Sequence, residues 1–535
     1  MNIVKSKFSL HPFIVLSTLY IISNILIFFV HGIFWDDWTL YHDAKAIEQQ
    51  FFYGNGAIIL GHLHIFLQQL SCDTILLYHS LIFFIGWLCV LLFYKTLISC
   101  FNLDNISSLF IGSLYAAFPL GYAHMTMICL PYQIGLLLQL VSIQSFVLNR
   151  TKFNLLLYIL FFILQFGASL FLVSNVVFWG GLLFYFVLQK TWAKRNLSIL
   201  YGIDVFKQLM KWLIYYVPCI IFWIIRSLYF LPTGVYKEVG YNSFSLKAFV
   251  ALPVNLVKSI INCSVFVTSQ VSVLANSPLF LIICFMLLVV IYIMLNKYTN
   301  VFANIKVTNS HFAAILFLYI FAIGAYLMVG LIPVFDSMND RHGILIILAI
   351  CPLVYFLLNV LLVNKAKFLS LVFVISIMST YSISQYWEAI YQSQRNDAIL
   401  FFFRDIKLPE GNIFVYEDDN NNNKIGHCFY SWSGMYYNAT NRQDRCIVMS
   451  NNRIIYDSKA FLKEAYHQKD AYVGKPTIFI EFPNKNETRK IFSVLKRFFY
   501  FYFNPSKYKD IVVNEFNILF KEVDGIEHIY SYKKL

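Results

Sequence analysis

Apolar runs long enough to cross a bilayer recur along most of this chain, and the polar tracts between them are mostly short. Read in order, the runs predict spans over 12–30, 75–98, 107–123, 132–148, 153–172, 175–188, 212–230, 278–295, 312–331, 343–363 and 368–386. Each is near the roughly 20 residues that a membrane helix needs. The predicted architecture is therefore mainly α: a polytopic helix bundle of about eleven spans over residues 1–387. After Tyr386 the pattern changes. Short apolar stretches at 412–416, 446–449, 477–481, 511–519 and 528–532 read as strands, alternating with helical stretches at 458–466 and 487–499. Residues 388–535 thus read as a small α/β domain, entered by a helix that continues from the last span.

Two segments depart from the simple alternation. Residues 236–277 are too long for a turn, and Pro253, Asn255, Lys258, Asn262 and Gln270 interrupt them; they read as one or two amphipathic helices on the outer surface, the alternative being a pair of short spans. The first loop, residues 31–74, should hold two short helices, 39–52 and 57–70, with Gly54-Asn55-Gly56 between them.

Charge orients the bundle. Lys5 and Lys7 precede the first span, and the predicted inner loops carry Lys95, Arg150, Lys152, Lys190, Lys194, Arg195, Lys297, Lys306, Lys365 and Lys367. The turns near Pro131 and Ser174 carry no basic residue, as the positive-inside rule requires of outer turns. The N-terminus is expected in the cytoplasm, with the first loop and the C-terminal domain outside, in a bacterial inner membrane. The net charge of +13 is then a topology signal and not a nucleic-acid signature. Of ten Cys, only Cys428 and Cys446 fall in the C-terminal domain, where an outer location permits a disulfide.

Acidic residues are scarce in the membrane part. Residues 1–387 hold ten, and the first loop has five of them: Asp36, Asp37, Asp43, Glu48 and Asp73. Asp36 and Asp37 stand between Trp35 and Trp38, whose indoles favour the headgroup level. Adjacent side chains diverge, so one carboxylate can face a cavity while the other caps a helix or meets a cation. Asp340 and Arg341 recur together in LIPVFDSMNDRHG, before the tenth span, with His342 beside them. Arg226 lies within an apolar run, where a charge faces a polar cavity, finds a partner or snorkels. Lys237, His62 and His64 are further candidates. Two residues apart on a helix, His62 and His64 point away from each other, so no metal site is assigned. No cofactor is called for, though a divalent metal stays open.

The topology, with the residues Phe34-Trp35-Asp36-Asp37-Trp38 in the first outer loop, resembles the GT-C class of membrane glycosyltransferases, which includes serotype-converting glucosyltransferases of O-antigen. The resemblance implies a polyprenyl-phosphate-linked sugar donor, a glycan or lipid acceptor of the cell envelope, and transfer at the outer face. It also implies that a first-loop Asp is the general base. A basic residue just before a late span commonly meets the lipid phosphate in that class; Arg341 matches it, and His342 stands where many relatives have an aromatic. Two other readings are a flippase or carrier of lipid-linked sugar and an O-antigen polymerase. The first is expected to show repeats and mid-membrane ionisable groups, the second several Arg in large outer loops.

Overall fold

A computed structural model describes residues 11–42, 45–71, 73–150, 152–192, 199–238, 246–275, 277–299, 309–333, 335, 338–415, 429–442, 447–449, 477–482 and 485–523. Among them, six helices are long and apolar enough to cross a membrane: Pro12–Phe29, Thr74–Phe101, Met127–Asn149, Ile203–Tyr229, Pro278–Tyr298 and Lys365–Asp405. Their packing separates interior from rim. The apolar window of Met127–Asn149 is 61% buried within the protein and that of Pro278–Tyr298 only 22%. The apolar surface left bare on the rim helices calls for lipid around it, and the chain is an integral membrane protein.

Several of the eleven expected spans are shorter helices. The run expected at 107–123 is a helix only over Asn105–Ala117. It stops at Phe118, whose extended backbone (ψ 127°) is what Pro119 imposes on the residue before it. A separate short helix, Gly121–Met125, follows. Leu155–Phe171 and Ile347–Leu361 are also short apolar helices, the second preceded by a tight turn over Met338–Gly343. Side-chain caps set the starts: Asp73 accepts from Leu76 N at 2.9 Å, Asp104 from Ile106 N and Ser107 N at 2.9 Å, and Asn154 from Leu156 N at 2.9 Å. Asp73, one of the five first-loop acids, is thus a helix cap. The 236–277 segment differs from a surface-lying pair. It forms Leu246–Val250 and a 24-residue helix, Leu252–Ala275, whose Phe266 is buried against Phe118, Phe335 and Tyr381.

Close helix packing inside the bundle depends on one glycine in particular. Gly181, on Asn175–Trp192, faces Phe321 on Asn309–Met328 so tightly that a Cβ would lie 2.0 Å from the ring and 2.4 Å from the Phe321 Cβ. Because Phe321's Cβ is involved, rotation of the ring cannot relieve the clash. Gly181→Ala is expected to destabilise the bundle by about 1–3 kcal/mol through overpacking. Thermal unfolding in detergent should show a lower midpoint than wild type; an unchanged midpoint would mean the two helices separate freely.

The last span does not end at the membrane. Asn364–Asp405 is one 42-residue helix, roughly 63 Å at 1.5 Å per residue. That is about twice the hydrocarbon thickness, so it carries well beyond the bilayer. The expected boundary at 387/388 falls inside it. Beyond it, strands β1 (Asn412–Val415), β2 (Ile447–Met449), β3 (Thr477–Glu481) and β4 (Leu519–Val523) form one sheet in the order β2-β1-β3-β4. β1 pairs in parallel with β2 and β3, and β3 pairs antiparallel with β4. Phe403 of the long helix meets Trp432 and Tyr436 on Phe429–Thr440, which ties sheet domain to bundle.

The strand expected at 511–519 is corrected. Residues Pro505–Phe516 are a helix, and the strand begins only at Leu519. The Ile511-Val512-Val513 run carries β-branched residues. Flanking signals decide against a strand: Asn504 caps Lys507 N at 3.2 Å, Pro505 occupies the first turn, and Asn517 ends the helix at φ 43°. The stretches 458–466 and 528–532, together with Cys428 and Cys446, lie outside the described residues.

Candidate functional site

The first loop leaves the membrane along the protruding part of the long helix. Gly32 N donates to Ser393 Oγ at 2.8 Å, Asn396 Nδ2 donates to Ile33 O at 3.0 Å, and the His31 ring lies 2.9 Å from Asp397. Trp35 then takes a left-handed backbone (φ 51°), a conformation costly for a bulky residue. It reverses the chain so that Asp37 N bonds Phe34 O at 3.0 Å and the helix Asp37–His42 begins. Trp38 is buried under Phe429–Thr440, where Gly434 leaves no room for a Cβ against the indole.

The two carboxylates divide as adjacent residues must. Asp37 is 1% exposed and turns inward. Its two oxygens accept from Met127 N and Ile128 N, each at 2.8 Å, and so hold the start of the Met127–Asn149 span. The capped segment is therefore a different helix from the one Asp37 begins. Asp36, 9% exposed, sits in the turn beside Trp35.

Burial pushes the Asp37 carboxyl up to about 8; the two N–H donors oppose this, and the charge of Asp36 adds to it. With an unfolded value of 3.8, the folded state holds a proton that the unfolded chain releases. The stabilisation is full below the unfolded value and is lost as pH rises through the folded one. Thermal stability should thus fall between about pH 4 and about pH 8 more steeply in wild type than in Asp37→Asn. The variant is itself expected to be less stable by about 1–3 kcal/mol, because an amide cannot accept from both N–H groups. Parallel pH profiles for the two proteins would remove Asp37 as the titrating group.

Across from this turn lies Met338–Gly343. The Arg341 guanidinium carbon stands 4.1 Å from the centroid of the Trp35 ring, a cation–π contact joining the first loop to the late loop. Asp340 is fully buried, and burial pushes its carboxyl well above the usual range. The N–H groups of Ala123 and Tyr122 and the charge of Arg341 oppose that shift without making a hydrogen bond of good geometry. Burial thus favours the neutral form of Asp340 beside Arg341. His342 lies 5.0 Å from the Tyr326 ring, and burial, with the neighbouring Arg341 charge, lowers it to about 3. It is a neutral ring and not a second cation.

The remaining candidates sit elsewhere. Arg226, on Val217–Tyr229, belongs to a helix packed chiefly on Leu155–Phe171, with Phe166 and Phe222 6.2 Å apart. Lys237 is exposed on Gly234–Glu238, whose Tyr236 covers Gly54 in the first loop's later half. His62 is exposed near Tyr53. His64 is buried between Phe52 and Tyr78, its Nδ1 2.8 Å from the Tyr78 hydroxyl. Its partners make it a packing residue, with its ring turned from that of His62. Asp43 lies outside the described residues. Among the described residues no three His, Cys, Asp or Glu side chains gather as a metal site would require.

Beneath the loops, Tyr386 donates to Asn24 Oδ1 at 3.0 Å and lies 3.4 Å from His124 Nδ1. Asn24, His124 and Gln133 line a small cavity there with room for about one water and none for a sugar. Sequence reasoning marked Trp35 only as a depth marker. Its role as the platform for Arg341 has no local signal, because the partner lies far along the chain.

No protein-family model matches this chain, and no curated protein matches it. Among solved structures, the chain aligns over 89% of its length with 93% of the chain in the crystal structure of ArnT from Cupriavidus metallidurans bound to undecaprenyl phosphate. The identity is 10% and the TM-score 0.37.

Proposed function

We propose that this protein is a membrane glycosyltransferase that moves a sugar from a polyprenyl-phosphate donor to a hydroxyl of a cell-envelope glycan or lipid, such as O-antigen. The observation that carries the reading is the meeting of Arg341 with Trp35 beside Asp36. It brings the loop that carries Asp36 against the loop that carries Arg341, though the two are far apart in sequence. Such a pair supplies the two things the reaction needs: a proton acceptor and charge for a leaving phosphate.

The acceptor hydroxyl gives its proton to the Asp36 carboxylate as its oxygen forms a bond to the anomeric carbon. The bond from that carbon to the phosphate oxygen breaks, and its electron pair leaves with the polyprenyl phosphate, which gains one negative charge. Arg341 offers a planar fork of donors to that charge, and the Trp35 ring holds the fork in place. One base and one leaving phosphate make a single, inverting displacement. Asp37 anchors the turn to the Met127–Asn149 helix and positions Asp36.

The test is purified protein in liposomes with a panel of polyprenyl-phosphate sugars and a crude envelope glycan. Release of free polyprenyl phosphate that depends on the acceptor is expected. Movement of intact lipid-linked sugar between leaflets, with no release from any donor, would identify a carrier and overturn the reading.

A further inference from the structure

We propose that the helix Ile491–Phe503 of the sheet domain lies in the membrane interface, and that its outward face is a docking surface for lipid of the leaflet from which the first loop emerges. This does not depend on the chemistry proposed above.

One side of the helix is fixed to the protein. Val494 and Arg497 are buried. Gln394 on the long helix donates to Val494 O at 3.1 Å and accepts from Arg497 Nε at 2.8 Å. Arg497 also reaches Thr488 O at 2.5 Å and is ion-paired with Glu515. The adjoining arc is bare. Phe492 (85% exposed), Leu495, Phe499, Tyr502 and Phe503 (71% exposed) recur at helical spacing and form one stripe. A contiguous apolar stripe of this kind is a contact surface and not a solvated one.

Its position names the occupant. Phe29, at the outer end of the first span, packs edge-on against Phe498 at 5.5 Å and Tyr502 at 6.0 Å. The helix therefore sits where that span leaves the bilayer. Below Phe29, the span exposes Ile25, Ile21 and Ile14 along one line, so the lipid-facing stripe of the span runs on into the stripe of the helix. Lys496, at the edge of the apolar arc and ion-paired with Glu515 at 2.9 Å, and Lys507, above the Tyr500 ring at 4.9 Å, bring positive charge beside the stripe. Bulky aromatic residues flanked by lysine are the side chains that favour this depth. The same helix stacks Phe501 on His31 at 4.0 Å, so its depth also sets that of the first loop.

The test uses the full-length protein in vesicles of zwitterionic and anionic phospholipid. A photo-crosslinking phenylalanine analogue replaces Phe492, Phe499 or Phe503 in turn, with Asp510, exposed on the following helix, as the control. Irradiation is expected to give lipid adducts at all three stripe positions and none at 510. Adducts to a second copy, or to another segment of the same chain, would overturn the proposal by showing that protein covers the stripe. Equal labelling at 510, or no lipid labelling at any stripe position, would overturn it as well. The three positions are exposed, so failure of one variant to fold leaves the other two to give the answer.

Discussion

Asp36→Asn is expected to lower the rate of sugar transfer by roughly 10²–10⁴-fold, the usual contribution of a positioned general base. Donor affinity should change little, because the carboxylate acts on the acceptor hydroxyl and not on the lipid phosphate. Asparagine keeps the size and hydrogen-bonding reach of aspartate and removes only its capacity to take a proton. The loss should therefore appear in kcat and not in KM for the donor. Asp37→Asn gives the contrasting signature: a lowered and less pH-dependent unfolding midpoint, since Asp37 holds Met127 N and Ile128 N. Release of polyprenyl phosphate, measured beside thermal unfolding for both variants, separates the roles. Full turnover by Asp36→Asn would strip the base assignment from this residue.

The second large effect is expected at Arg341. Arg341→Met removes the charge proposed to meet the leaving phosphate, and turnover should drop by roughly 10²–10³-fold, as when a preorganised donor is deleted from other reaction sites. Arg341→Lys should recover only part. A lysine carries the charge but has neither the planar fork nor the flat face that rests 4.1 Å from the Trp35 ring. Free polyprenyl phosphate serves as an independent probe, since it should inhibit wild type and inhibit Arg341→Met far less. Equal inhibition of both proteins would move the phosphate site away from Arg341 and bring Arg226 back into consideration.

In the proposed reaction Asp36 acts at the forming bond and Arg341 at the breaking one, so their effects should not be fully additive. Each variant already lacks one half of the same transition state. A double variant little worse than the poorer single one would fit residues that share one step.

How much of this was legible beforehand differs from residue to residue. The scarcity of carboxylates outside the first loop singled out Asp36 and Asp37, and of the two it is Asp37 that turns inward and holds a helix start. The helix that Asp37 holds is a distant one, however, and only the fold reveals it. Arg341 and Asp340 were visible as rare charges before a span. His62 and His64 were expected to point apart, and His64 packs against Tyr78 while His62 is exposed. The helix Pro505–Phe516 was misread because three β-branched residues outweighed the Asn and Pro signals at its start.

Membrane class and the unusual gathering of carboxylates in the first loop were legible in the residues alone. Each of these follows from local composition: a bilayer demands long apolar helices, and it makes every stray charge conspicuous. Helix ends, where Asp73, Asp104, Asn154 and Pro119 stand, are also local matters. The packing of distant segments supplied the rest: Asp37 pins two elements together, Trp35 lies under Arg341, and Phe498 and Tyr502 meet Phe29 of the first span. These depend on which distant segments meet. Contact between distant segments is set by the packing of the whole bundle, and no periodicity within one segment encodes it.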